Sequence, residues 1–259
     1  PESPWLLEGF FASEAAARNA YAALLEEHAL ASEPAYEVLE DTDWREAYKY
    51  HIRPWSCGRL HWEPAWEEGY APSRVDAAVV RLDSRMAFGT GSHETTRLCA
   101  RALVEDAESR GTGGRAALDA GCGSGILALS AAALGFSRVE GFDNDPEAVR
   151  ISREQAAANG LEERCRFYES EVAEGLKAES ADLLLANIET PVLRAHVPAL
   201  LHAVRPGGRL VLSGILAVDQ AEVAQPLRLS LPDAWPEGGR LRAEQEGEWV
   251  ALIADRGSP

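Results

Sequence analysis

Lysine is almost missing from this chain. Of its 25 basic residues only Lys49 and Lys177 are lysines, and arginine supplies the rest. Positive charge as a whole is scarce: 42 acidic residues set a formal net charge of −17. Such a surface repels phosphate backbones and argues against nucleic acid as a primary partner. It favours solubility and attracts basic proteins. Cysteine is sparse too. Cys57, Cys99, Cys122 and Cys165 form no CxxC pair, which excludes a disulfide framework or a zinc site and suits a reducing cytoplasm; no bound metal is expected. No apolar run approaches the ~20 residues that a membrane span needs. The opening "PESPWLLEGF" lacks the basic region and apolar stretch of a secretory signal. A cytoplasmic location without membrane partners is the expectation. Solenoid-period repeats and low-complexity tracts are absent as well.

What is present is enough for a real core. Hydrophobic residues make up 46% of 259, which fits one large domain with a small companion. Residues 13–28 read as a helix capped by Ser13, with Ala17, Tyr21, Leu24 and Leu25 on one face. "AYEVLED" (35–41) alternates like a strand. The tryptophan- and proline-bearing stretch 55–75 reads as a connection. From Arg74 onward, strand-like and helix-like segments alternate. Ser92 can cap a helix from about His93 to Ser109. Gly135 ends another helix, and a third has Asp145 as cap, Pro146 at its first position and Asn159-Gly160 as its stop. "RLRAEQEGE" and "EWVALIAD" read as a closing antiparallel pair. The alternation implies a doubly wound α/β fold, a mostly parallel sheet with helices on both faces. We divide the chain into a small, abbreviated α/β region (1–54), a linker (55–75) and a larger α/β domain (76–259).

The chemistry starts in "LDAGCGSGIL" (118–127), a strand end that opens a helix. Gly121, Gly123 and Gly125 let the backbone turn tightly and approach a ligand. Their G-x-G-x-G spacing differs from the G-x-G-x-x-G of dinucleotide sites. Asp119 just before the loop would repel a pyrophosphate but can bind an ammonium group. That combination disfavours a nicotinamide oxidoreductase and points to S-adenosylmethionine. Asp143, 22 residues after Gly121, can accept hydrogen bonds from both ribose hydroxyls; the alternative is a plain helix cap. Ser170 or Glu171 can read the adenine edge or stand in a solvated turn. Asn187 ends the fourth strand of the larger domain, where open α/β sheets hold their ligands. Its side-chain carbonyl can accept a hydrogen bond from an amine and orient the lone pair. It can also be a turn former.

Together, six motifs carry a specific resemblance. "MAFGTGSHETT" (86–96), "DAGCGSGIL" (119–127), "GFDNDPEAV" (141–149), "ANIETPVL" (186–193), "PGGRLVLSGIL" (206–216) and "GEWVAL" (247–252) resemble the bacterial methyltransferases that trimethylate the large-subunit stalk-base ribosomal protein numbered eleven. The first and fourth motifs are the specific ones. The resemblance runs from about residue 41 to the end, with Tyr48 where the family usually has tryptophan. It implies a Rossmann-like class I methyltransferase domain with an antiparallel C-terminal strand. It implies S-adenosylmethionine as cofactor, and lysine side chains and an N-terminal amine of the basic ribosomal protein as acceptors. Cofactor contacts carry over to Thr96, Gly121, Asp143 and Asn187. Phe88, flanked by Gly89 and Gly91 in the first motif, is expected to close over the methionyl end and exclude water. His93 is either a base or, as we favour, a structural residue. A different lysine or small-molecule acceptor, and cofactor binding without turnover, are the competing readings.

Overall fold

The structure, a computed structural model, describes residues 13–27, 54–66, 75–82 and 93–258. The chain divides into two compact units, Pro1–Ala47 and Tyr48–Pro259. In the first, the described element is helix α1, Glu14–Glu27. The Ser13 hydroxyl accepts the Ala16 N–H at 3.2 Å, as the sequence leads one to expect of a cap. Arg18 pairs with Glu14 one turn back. The strand expected at 35–41 lies outside the described residues.

The second unit holds two sheets. Strands β1 (Trp55–Cys57), β2 (Leu60–Pro64) and β3 (Ala78–Leu82) form the smaller one. β1 and β2 make a hairpin inside the stretch expected to connect, and β3 lies parallel to β2. Trp62 secures this sheet: its indole N–H donates to Ser130 Oγ at 2.8 Å, and its ring stacks on Trp55.

The larger sheet follows from alternation of strand and helix. In chain order its elements are α2 (Glu94–Arg110), β4 (Ala116–Ala120), α3 (Ile126–Leu134), β5 (Arg138–Asp143), α4 (Pro146–Ala158), β6 (Cys165–Glu169), the short α5 (Val172–Gly175), β7 (Ala181–Asn187), α6 (Thr190–Ala203), β8 (Val204–Leu216), α7 (Gln220–Ala234), β9 (Gly239–Glu246) and β10 (Trp249–Arg256). The strand order is β6-β5-β4-β7-β8-β10-β9. The first five run parallel; β10 is antiparallel to both β8 and β9.

Strand periodicity sends neighbouring residues to opposite faces. Leu183 and Leu185 join the core built with α2, α3 and α4, whereas Leu184 and Ala186 join the one built with α6 and α7. Both faces are covered, so β7 is buried along most of its length and reads as a continuous apolar run. The local signals for α3 and α4 hold: Gly135 at φ 104° closes α3, the Asp145 carboxylate caps α4 ahead of Pro146, and Asn159 ends it. At α2 the cap is His93, one residue beyond the serine expected there. Helix α7 has no counterpart in the sequence reading, because Pro226 and Pro232 inside it interrupt a helical pattern.

Candidate active site

The carboxyl ends of β4, β5 and β7 converge, and the loops leaving them carry the residues singled out above. After β4 the backbone passes through Gly121, Gly123 and Gly125 at φ of 72°, 52° and 79°. These are left-handed values that glycine adopts without strain. The N–H groups of Gly121 and Cys122 donate to the Phe142 carbonyl at 2.9 and 3.0 Å, which ties the loop to β5. Gly125 caps α3 with no side-chain hydrogen bond, so the helix start presents backbone donors to an incoming polar group.

Asp143 shapes the loop from the next strand. One carboxylate oxygen accepts the Gly123 N–H at 2.9 Å, and the other accepts the Asp145 N–H at 3.0 Å. The cap of α4 is Asp145, which accepts from Glu147 at 2.8 Å. Each Asp143 oxygen keeps a further lone pair for a hydroxyl donor. Asp119 is 2% exposed and accepts the Ala128 N–H at 3.0 Å. Burial, only partly offset by that hydrogen bond, together with the nearby Asp143 charge, pushes its carboxyl up to about 7. A cationic group beside it would restore the ionised form. Spare acceptors on Asp143, free donors at α3 and a buried acid awaiting a cation together fit the nucleoside and ammonium ends of S-adenosylmethionine.

On the acceptor side, Asn187 is the last residue of β7, paired with Ser213 of β8. Its amide donates to Thr96 Oγ1 at 3.4 Å, across 91 positions of sequence. Among the described residues its carbonyl oxygen has no hydrogen-bond partner. Thr96 is 3% exposed in the first turns of α2. The two residues thus meet as a pair, with an acceptor left over. His93 has a structural role: Nδ1 lies 2.8 Å from Thr95 Oγ1 and caps α2, and its ring meets Trp249 edge-on at 4.8 Å. Near the expected adenine edge, the Ser170 hydroxyl donates to the Glu171 carbonyl and Glu171 accepts from Asn144. Phe88, with Gly89 and Gly91, lies outside the described residues.

Two residues of this site were not singled out from the sequence. Ile188 follows Asn187 and is wedged between a glycine of the loop after β4 and one of β8. A Cβ on Gly121 would sit 2.2 Å from Ile188 Cγ2, and one on Gly214 would sit 2.4 Å from the Ile188 carbonyl oxygen. Gly214, at φ 83°, lies in a bulge where Ser213 and Gly214 of β8 face Ala251 alone. The bulge gives the loop after Asn187 room to lie against β8. The signal was available, since a glycine inside a strand marks a bulge or a close backbone approach.

A sequence model of the family described as ribosomal protein L11 methyltransferase (PrmA) matches residues 4–257. The chain belongs to this family. It is 42% identical over 229 residues to the ribosomal protein L11 methyltransferase of Symbiobacterium thermophilum, covering 86% of this chain and 69% of that one. It is 40% identical over 221 residues to the enzyme of the same name from Pseudomonas aeruginosa, covering 85% and 70%. Among solved structures it is similar to a ribosomal protein L11 methylase from Lactobacillus delbrueckii subsp. bulgaricus. There the TM-score is 0.65 at 28% identity, over 77% of this chain and 95% of that one. A precorrin-6y methyltransferase from Geobacter metallireducens shares the fold, with TM-score 0.53 at 15% identity over 70% and 98%. The protein is therefore a methyltransferase with S-adenosylmethionine as its methyl donor, on a class I fold. Among the described residues no helix is long and apolar enough to cross a membrane.

Proposed function

We propose that this chain methylates lysine side-chain and N-terminal amines of ribosomal protein L11, the protein for which its relatives are named. The observation that carries the reading is the Asn187–Thr96 pair, which spends the amide of Asn187 on Thr96 and leaves its carbonyl for an acceptor amine. Asn187 is the catalytic residue. Thr96, Asp119, Gly121, Gly123, Gly125, Asp143 and Asn187 line the cofactor, and Phe88 closes over its methionyl end. Asp143 takes the ribose hydroxyls and Asp119 faces the ammonium group.

S-adenosylmethionine supplies an electrophilic methyl group. The protein must present a neutral amine to it. A free lysine has a pKa of ~10.4, so about one in a thousand is ready at neutral pH. A pocket that excludes water disfavours the ammonium form and releases its proton to solvent before attack. The Asn187 carbonyl accepts an N–H of the amine, which aims the lone pair without adding a full charge. Most of the acceleration is then positioning.

The amino-terminal region recruits the substrate, and the unit that carries Thr96, Asp143 and Asn187, with the 55–64 hairpin packed into it, catalyses. The net charge of −17 favours the free basic ribosomal protein over the RNA-rich assembled subunit, and the unpaired cysteines suit a cytoplasmic site of action. The test is incubation of the purified chain with labelled S-adenosylmethionine and purified L11, read by mass spectrometry. Added mass in 14-Da steps on lysines or the N-terminus is expected. No added methyl groups on L11, with turnover on a different amine, would overturn the substrate while keeping the chemistry.

A further inference from the structure

The "GEWVAL" segment takes no part in the site as described so far, yet its hairpin grips the helix that carries Thr96. Strands β9 and β10 are joined at Gly247-Glu248, and Glu246 pairs with Trp249 as the closing position of the ladder. On α2, Arg97 and Arg101 lie one turn apart and share a face. Arg97 reaches Glu246 Oε1 at 2.6 Å, and Arg101 binds Oε2 of the same carboxylate. Both carboxylate oxygens are therefore engaged by guanidinium groups, through charge-assisted hydrogen bonds. Trp249, on the other side of the turn, packs against the His93 cap. The first turns of α2 are thus held at two points, and Thr96 lies between them.

We propose that Glu246 is a positioning residue: through Arg97 and Arg101 it latches α2 onto the β9–β10 hairpin and so holds Thr96 where it receives the Asn187 amide. This rests on reading Thr96 and Asn187 as the reacting end of the site. The hairpin does not need the latch for its own folding, since β9 and β10 pair along eight residues and β10 is sealed against β8. The carboxylate stays charged near neutrality. Burial pushes it up, but hydrogen bonds from Arg101 and Arg97 outweigh that and hold it below the ordinary range. The pair is also only partly exposed, with 27% of the Glu246 and 22% of the Arg97 side chain accessible. Salt screens it less than a surface pair.

The experiment uses the full chain and the variants Glu246→Gln, Thr96→Val and the double variant. Hydrogen exchange on the protein alone should show the Thr96 and Arg97 amides opening about tenfold more readily in Glu246→Gln, with the β9–β10 amides unchanged. With saturating cofactor and L11, kcat should fall about tenfold in each single variant while KM for L11 holds. The double variant should be no slower than Thr96→Val alone, because both changes act through one contact. Independent, multiplicative losses in the double variant would overturn the latch and leave the site reading standing. So would exchange that rises equally across the whole hairpin. Full activity and unchanged cofactor affinity in Thr96→Val would overturn the site reading itself, and the latch with it.

Discussion

At the amino ends of the parallel strands, buried acids meet arginines; at the carboxyl ends of β4 and β5, Asp119 and Asp143 do not. Asp106, fully buried on α2, lies 2.7 Å from Arg115 and 3.5 Å from Arg110, with Arg209 at 3.9 Å. Arg209, 3% exposed on β8, binds Asp255 at 2.7 Å, and Arg205 binds Asp182 at 2.9 Å. At the other end, Asp119 and Asp143 make no ion pair among the described residues and hold only backbone N–H groups. One end spends its charges on fixing α2 against the sheet. The loops after β4 and β5 hold acids with no cation beside them among the described residues, which costs stability and leaves a place for one. The difference locates function by what is left unpaired, consistent with active sites being where local rules of stability are broken.

The comparison can be broken from either side. The largest effect belongs to the amino end. Asp106→Ala leaves the nearly buried Arg115 without its carboxylate, while Arg110 and Arg209 keep Asp255, and should cost about 3 kcal/mol in urea unfolding. Cofactor affinity of the folded fraction should not change; an unshifted midpoint would show that this network is not structural. Next comes Asn187→Ala, which should slow turnover about a hundredfold at saturating cofactor, or about 2.7 kcal/mol. Its unfolding free energy should move by less than about 0.5 kcal/mol. Full turnover in that variant would remove the orienting role.

The smallest effect is a pH dependence at Asp119. With its folded carboxyl pushed up to about 7, the ionised fraction falls from about 0.9 to about 0.1 between pH 8 and pH 6. Affinity for a cationic cofactor should therefore weaken about tenfold over that range, and titration calorimetry should show Asp119→Asn flattening the trend. Without ligand the sign reverses. The raised folded value means that Asp119 favours the native state in acid, and that this contribution is lost as pH rises from about 4 through about 7. Identical pH profiles in the two proteins would return Asp119 to a purely structural tie for α3.

Local signals were legible because their physics is local. Asp145-Pro146 starts a helix wherever it stands, since a short side chain caps free N–H groups and proline needs none. Gly135 ends one because it alone enters the left-handed region freely. The glycine loop, Asp143 and Asn187 were put forward by the same logic, and the structure sets their strand ends side by side. What eluded the sequence depends on distant parts. The hairpin in 55–64 joins a parallel strand from 78–82, and Asn159 extends that sheet by bonding both the N–H and the carbonyl of Arg81. The wedge of Ile188 between Gly121 and Gly214, and the grip of Glu246 on α2, likewise join segments far apart in the chain.

The sequence by itself determined the α/β class and the glycine turn and put forward the candidate site residues, because each follows from backbone freedom, periodicity or donor chemistry over a few positions. Only the tertiary structure decided which of those residues meet. Thr96 and Asn187 pair because α2 packs along β7 and β8, and the Asp119 carboxyl is pushed up to about 7 because burial takes water away from it. Contact across the chain and exclusion of solvent are properties of the packed whole.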